Sequence, residues 1–311
     1  MTTRDKKAHL CRTHRTLLKL VFHMGKGVMY KQHILRYMSL FEGSHEIDTS
    51  KALGELKDNE ILDYHSFFGA KVIKLNKYAV YFLLQKERED VSSISLTAGK
   101  VKKSAFLNQI ILQNADRLKK KSPSLQQLIP RYLNDTTYFT KDKESFVYLQ
   151  RQYEQGWCSS YAEHEIQRLI LAKQQGHQFE NTSADKIQND YNLNSIQASN
   201  IYLGLKRKLK TGETFLLVDV LDINGLITAK KFAEKVNLTT DHLKLLFDQD
   251  KLNFEFRLYV QSPERQEFLL KHARQISVSI QDHCKEEIRW IVKNLDLEAT
   301  LFRNQKILLN V

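Results

Sequence analysis

Three prolines and eleven glycines in 311 residues leave the chain few places where a helix must break. Proline removes a backbone donor and clashes with the preceding turn, and glycine gives up backbone entropy, so their scarcity favours long helices. Apolar residues recur at three-to-four spacing over long stretches, with shorter strand-like runs between them. The fold class this implies is mainly α with small β-ribbons (α+β). Length suggests two or three compact units, since single cores stop growing near ~250 residues. Residues 86–100 (KEREDVSSISLTAGK) are polar and contain serines, which marks them as a linker. They divide a mixed unit, 1–85, from a helical region, 101–210, and a second mixed unit, 211–311.

Charge narrows the function. Lys+Arg number 48 against 36 Asp+Glu, a net +12, which predicts attraction to a polyanion. Residues 1–84 hold 14 basic and 8 acidic side chains, half the surplus in about a quarter of the chain. No run of ~18 apolar residues is present to span a bilayer. The polar start, MTTRDKKAHLCRTHR, has no apolar core of signal-peptide length. Cys11, Cys158 and Cys284 are too few and too scattered for a disulfide framework. A cytoplasmic protein away from membranes is the expectation.

Within 1–85, Leu17, Leu18, Val21 and Phe22 place one apolar face on a helix over Thr13–His23. Ile34, Leu35, Tyr37 and Met38 do so over Lys31–Leu40, and Ala52, Leu53 and Leu56 over Ile47–Asn59. Asp48 or Thr49 can cap the third helix and Asn59 can end it. Ile61–Tyr64, Lys71–Leu75 and Tyr78–Leu84 read as strands, with Asn76-Lys77 turning between the last two. The segment SKALGELKDNEIL resembles the stretch that carries the recognition helix into the wing in the winged-helix superfamily of DNA-binding proteins. The resemblance implies DNA contact through the outer face of the third helix (Thr49, Ser50, Lys51, Glu55). From Tyr64 to Lys86 there is no acidic residue, so Lys71, Lys74 and Lys77 on the wing can lie beside phosphates without like-charge repulsion. Arg4, Lys6, Lys7, Arg12 and Arg15 add cations at the N-terminus.

Two further segments resemble the helix-turn-helix superfamily. In 227–247, Ala233 suits the close crossing, Asn237 the turn, and Phe232, Val236, Leu238, Leu243 and Leu246 the apolar pins. Thr239, Thr240, Asp241, His242 and Lys244 would then be outward, with Thr239, Thr240 and Lys244 touching DNA, and strands at Thr214–Leu221 and Asn253–Val260 would make a second winged unit. In 184–210, Asn192 marks a turn, though Gln188 stands where a small residue is expected. Asn194 and Gln197 there suit adenine edges, and Lys206 and Arg207 lie towards the basic end of the second helix. Each segment also reads as ordinary packed helix.

Chemistry is sparse. GxxxxGK[ST] and GxGxxG are absent, so no phosphate-cradling loop is expected. His9, Cys11 and His14 lie close together without a second cluster at zinc-finger distance, and no metal or cofactor is expected. A nuclease could use Asp219 or Asp222 after the apolar strand TFLLV, but no ExK follows. No catalytic residues are assigned. Residues 263–311 carry apolar helices that either close the protein's own core or pair two copies in a homodimer. The expected function is a sequence-specific, non-enzymatic binder of double-stranded DNA acting in transcription regulation. The alternatives are an origin-binding replication initiator of a plasmid or phage, a DNA-processing nuclease and a protein-interaction scaffold.

Overall fold

The structure is a computed structural model that describes residues 3–87, 89–135, 200–208, 212–247, 253–283 and 288–297, and positions 154, 156 and 159. The chain forms two compact units, Met1–Asp135 with Leu295–Val311, and Thr136–Asn294. Mixed α and β structure is present in both.

The first unit opens with helices α1 (Thr3–Thr13) and α2 (Arg15–Lys19), the latter running into a π-helical turn, Leu20–Met24. Strand β1 (Val28–Tyr30), helix α3 (Lys31–Glu42) and helix α4 (Glu46–Asp58) follow. Gly43 at φ 66° ends α3 in the left-handed conformation that a residue with a Cβ resists, and Ser44 N–H donates to the Met38 carbonyl. Three residues then suffice to turn the chain into α4. Strands β2 (Leu62–Phe67) and β3 (Ala70–Leu75) form a hairpin whose two turn residues, Phe68 (φ 48°) and Gly69 (φ 74°), both take positive φ. That geometry matches the right-handed twist of the paired strands. β1 pairs with β3, giving the antiparallel order β1-β3-β2.

Leu18, Leu20, Ile34, Leu53, Leu56, Leu62 and Ile73 are fully buried in this unit. Helix α6 (Ala98–Gln113) also belongs to it. The Ser104 hydroxyl donates to the Val28 carbonyl (2.8 Å) and the Asn108 amide to the Met24 carbonyl (3.1 Å), so a polar helix face is buried with its donors satisfied. Helices α7 (Ala115–Lys121) and α8 (Leu125–Asp135) complete it.

Two expectations change here. Lys77–Leu84 is helix α5, not a third strand. Asn76, in extended geometry, donates to the Glu60 carbonyl and the Asp63 carboxylate, which turns the chain off the sheet, and Ala79 and Val80 bury one side of a helix. An unbroken apolar run has no period, so strand and helix read alike from it. The residues expected as a linker also lie inside this unit, where Val91 is buried and Thr97 caps α6 by accepting from Lys100 N–H.

The second unit is a four-stranded sheet, β4 (Ile201–Lys208), β5 (Thr214–Leu221), β6 (Asn253–Val260) and β7 (Arg289–Asn294), in that order. β4 is antiparallel to β5, while β5, β6 and β7 are parallel. Helix α9 (Ala229–Leu246) links β5 to β6, and α10 (Pro263–Lys271) with α11 (Ala273–His283) link β6 to β7. Leu216, Val218, Val220, Phe254, Phe256, Leu258 and Val260 bury one sheet face against Phe232, Ala233, Val236, Leu269, Ile276 and Ile280. On the other face, Tyr202, Asp219 and Arg257 stand in register across three strands.

The strands at Thr214–Leu221 and Asn253–Val260 form as expected but pair in parallel, so no second wing is made. The turn expected at Asn237 is absent, and Ala229–Leu246 is one helix. A parallel pair needs a connection that returns the length of the strand. Eight strand residues span about 26 Å, and eighteen helical residues rise about 27 Å, so a break at Asn237 would leave the return short. Asn237 stays helical by donating to the Ser279 carbonyl of α11 (3.1 Å). Ile201–Lys208, expected as the end of a recognition helix, is strand. Gly204 weakens a helix there by about 1 kcal/mol relative to alanine, and pairing with β5 satisfies a row of backbone groups instead.

Candidate nucleic-acid interface

Helix α4 is amphipathic, with Ser50 and Gly54 half-buried on its outer side. Thr49, Leu53 and Leu56 are buried, and Ala52 is half-buried beside them. The opposite face, spaced i, i+3, i+4, i+7, carries Ile47, Ser50, Lys51 and Gly54, with Asp58 one turn further on. Ile47 is 70% exposed and Lys51 is exposed. Four carboxylates against two lysines make α4 acidic as a whole, but they are not spread evenly. Glu55 lies 3.3 Å from His14 Nε2, and Asp48 lines a cavity of about 180 Å³ with Thr13, His14, Thr16, Ser44 and Thr49. Both acids therefore stand on the flank nearest α1 and α2.

That cavity is walled by Thr13, His14 and Thr16 from the α1–α2 junction, and Arg12 and Arg15, next to them in sequence, are exposed. Lys7 is committed elsewhere, bonding Glu60 at 2.8 Å and lying over the Tyr78 ring; this partner holds the Glu60 carboxyl below its ordinary range. Arg4 and Lys6 are exposed on α1, which is a helix packed through Leu10 and Cys11 and not a free arm.

Several expected contact residues are placed differently. Thr49 is 3% exposed and its hydroxyl has no hydrogen-bond partner among the described residues, so it belongs to the cavity and not to the outer face. Lys71 pairs in register with Ser66 and Lys74 with Asp63, and three residues along a strand reverse the side. These two lysines therefore lie on opposite faces of the sheet, and Lys77 is half-buried at the start of α5. The basic tract continuous in sequence is not one surface in space.

In the second unit, Thr239 and Thr240 are buried, at 2% and 0% exposure, and Lys244 is half-buried. Leu238, expected as a pin, is 59% exposed. The break in the helix that would have turned these residues outward does not occur. Lys206 and Arg207 sit on β4, and Asn194 and Gln197 lie outside the described residues.

The residues weighed for catalysis are engaged. Asp219 is fully buried and holds Arg257 through both oxygens, at 2.5 and 2.9 Å. Asp222 accepts from Leu226 and Ile227 N–H and from Arg265 Nε (2.9 Å), which fixes the loop after β5. His283 lies 2.9 Å from Asp241, joining α9 to α11. Among the described residues no group of three or more His, Cys, Asp or Glu side chains could hold a metal ion, and no helix is long and apolar enough to cross a membrane.

Ile47 and Gly54, not among the residues expected on the outer face, fall opposite Leu53 and Leu56. No family model, curated protein or solved structure matches this chain.

Proposed function

We propose that the first unit is a winged-helix DNA-binding module, and that the chain is a sequence-specific, non-enzymatic binder of double-stranded DNA acting in transcription regulation. The observation that carries this reading is the partition of charge between the units. The first, Met1–Asp135 with Leu295–Val311, holds 26 Lys+Arg against 15 Asp+Glu, and the second holds 22 against 21. Nearly the whole surplus of the protein therefore falls on the unit that contains the helix–strand–helix–helix–hairpin order and the β1-β3-β2 sheet. A uniformly basic surface would divide it evenly. Cations hold phosphates and orient the module, while side chains of an outward helix probe base edges.

The test is binding of the full chain to duplexes selected from a random pool, followed over a range of salt concentrations. Each phosphate contact contributes a slope of about −0.9 in log affinity against log salt. Replacing Arg12, Arg15 and Lys51 together by Gln should make the slope shallower by about 2 to 3. An unchanged slope removes these residues from the interface. The stoichiometry of the same complex tells whether one copy or a homodimer binds. A second reading, docking of another protein, is favoured by the acidic character of α4, and duplex binding that ignores salt or is absent would transfer the unit to it.

A further inference from the structure

We infer that the outward face of α4 enters the major groove, with Ile47 packed against a thymine methyl group and Gly54 letting the helix backbone approach the base pairs. The inference rests on the DNA-binding reading and names the residues that would set its specificity.

Two glycines of the first unit have a backbone reason that Gly54 lacks, and Gly99, which shares its open surroundings, stands in the first turn of α6 and not in a helix interior. A Cβ on Gly25 would meet the Val21 and Val28 carbonyl oxygens at 2.7 Å each, so close packing requires glycine there. Gly43 takes φ 66° to end α3. Gly54 does neither. It sits in the interior of a 13-residue helix, outside the positive-φ set, and no described atom lies within 4 Å of a Cβ built on it. Glycine weakens a helix relative to alanine, so the fold of this unit loses by having it. What glycine supplies at an outward position is room for something to approach the helix backbone.

The neighbours say what approaches. Ile47, 70% exposed, shares the face with Ser50 and Lys51. An apolar group that reaches a thymine methyl, a hydroxyl and a lysine amine are side chains suited to base edges in the major groove. Glu55 lies beside His14 and Asp48 lines the cavity, both on the flank, while exposed Glu46 and Asp58 stand at the two ends of the helix. The net positive charge of the unit complements a polyanion such as duplex DNA.

The experiment uses the full chain and the duplex it selects. Gly54→Ala should raise the thermal midpoint of the protein and lower affinity about ten-fold, because a methyl group intrudes into a filled contact. A role in the fold alone could not move stability and binding in opposite directions. Replacing each thymine of the site by deoxyuridine, which lacks only the methyl group, should lower affinity about four-fold at one position. With Ile47→Ala the same replacement should have no effect there. If Gly54→Ala binds as the parent does, or if no thymine methyl is coupled to Ile47, the inference fails while DNA binding stands. If the parent binds no duplex, the DNA-binding reading fails and takes the inference with it.

Discussion

Lowering the pH should weaken the first unit through one side chain, His33. It is fully buried on α3, and its Nε2 lies 3.3 Å from the Gln109 carbonyl oxygen on α6. The Gln109 amide nitrogen donates to the Leu295 carbonyl (3.1 Å), which turns its oxygen towards His33 and makes Nε2 the protonated nitrogen. Nδ1 has no partner among the described residues. Charging the ring would place a second donor where the described residues offer no acceptor, and Arg36 opposes the charge further. Burial thus pushes the imidazole pKa down from 6.5 to about 3. A depressed pKa means the unfolded chain binds the proton first. The stabilisation is complete above pH 6.5 and is lost as the pH falls towards 3, at about 1.4 kcal/mol per pH unit. Between pH 7.5 and pH 5.0 the unit should lose about 2 kcal/mol from this group. The assay is amide hydrogen exchange of α3 and α6 peptides over a urea series, corrected for intrinsic exchange at each pH. His33→Gln keeps a neutral donor near Gln109 but cannot titrate in this range. It should be destabilised at pH 7.5 and lack the additional loss at pH 5.0. Equal pH responses in the two proteins would show that the ring is not held neutral, and the reasoning from burial would fail.

Two other outcomes follow from the second unit. Asp219→Ala leaves the Arg257 guanidinium, 14% exposed, without its bidentate partner, and should destabilise that unit by about 3 to 5 kcal/mol in urea unfolding followed by tryptophan emission; a loss below about 1 kcal/mol would mean water reaches the pair freely. Asn237→Gly separates a continuous α9 from a helix-turn-helix. In a continuous helix it removes the bond to Ser279 and adds the penalty of glycine, together about 1 kcal/mol. At a left-handed turn it would be neutral or stabilising, and that result would overturn the single helix.

Much of the architecture was legible along the chain because it depends on near neighbours. The helices over Lys31–Glu42 and Glu46–Asp58 follow from apolar spacing, and strands β5 and β6 occupy the residues their patterns indicate. The basic bias of the N-terminal part, and the exposure of Lys51, are likewise properties of short segments. Sequence by itself determined these elements and the charge they carry.

Tertiary structure decided what the elements do to one another. Tyr78–Leu84 became helix because Asn76 bonds Glu60 and Asp63, residues well before it in sequence, and no local period favoured either form. Thr239 and Thr240 went inside because parallel pairing of β5 with β6 demanded a full-length return through α9, which keeps the two threonines within one unbroken helix. Lys71 and Lys74 parted because strand alternation sets them on opposite sides of a sheet that is covered on one side by α6. Thr49 went to a cavity wall and Glu55 to His14, contacts fixed by how α1 and α2 meet α4. Local propensity acts over a few residues, whereas burial and strand pairing act between residues far apart, and only the folded chain brings those together.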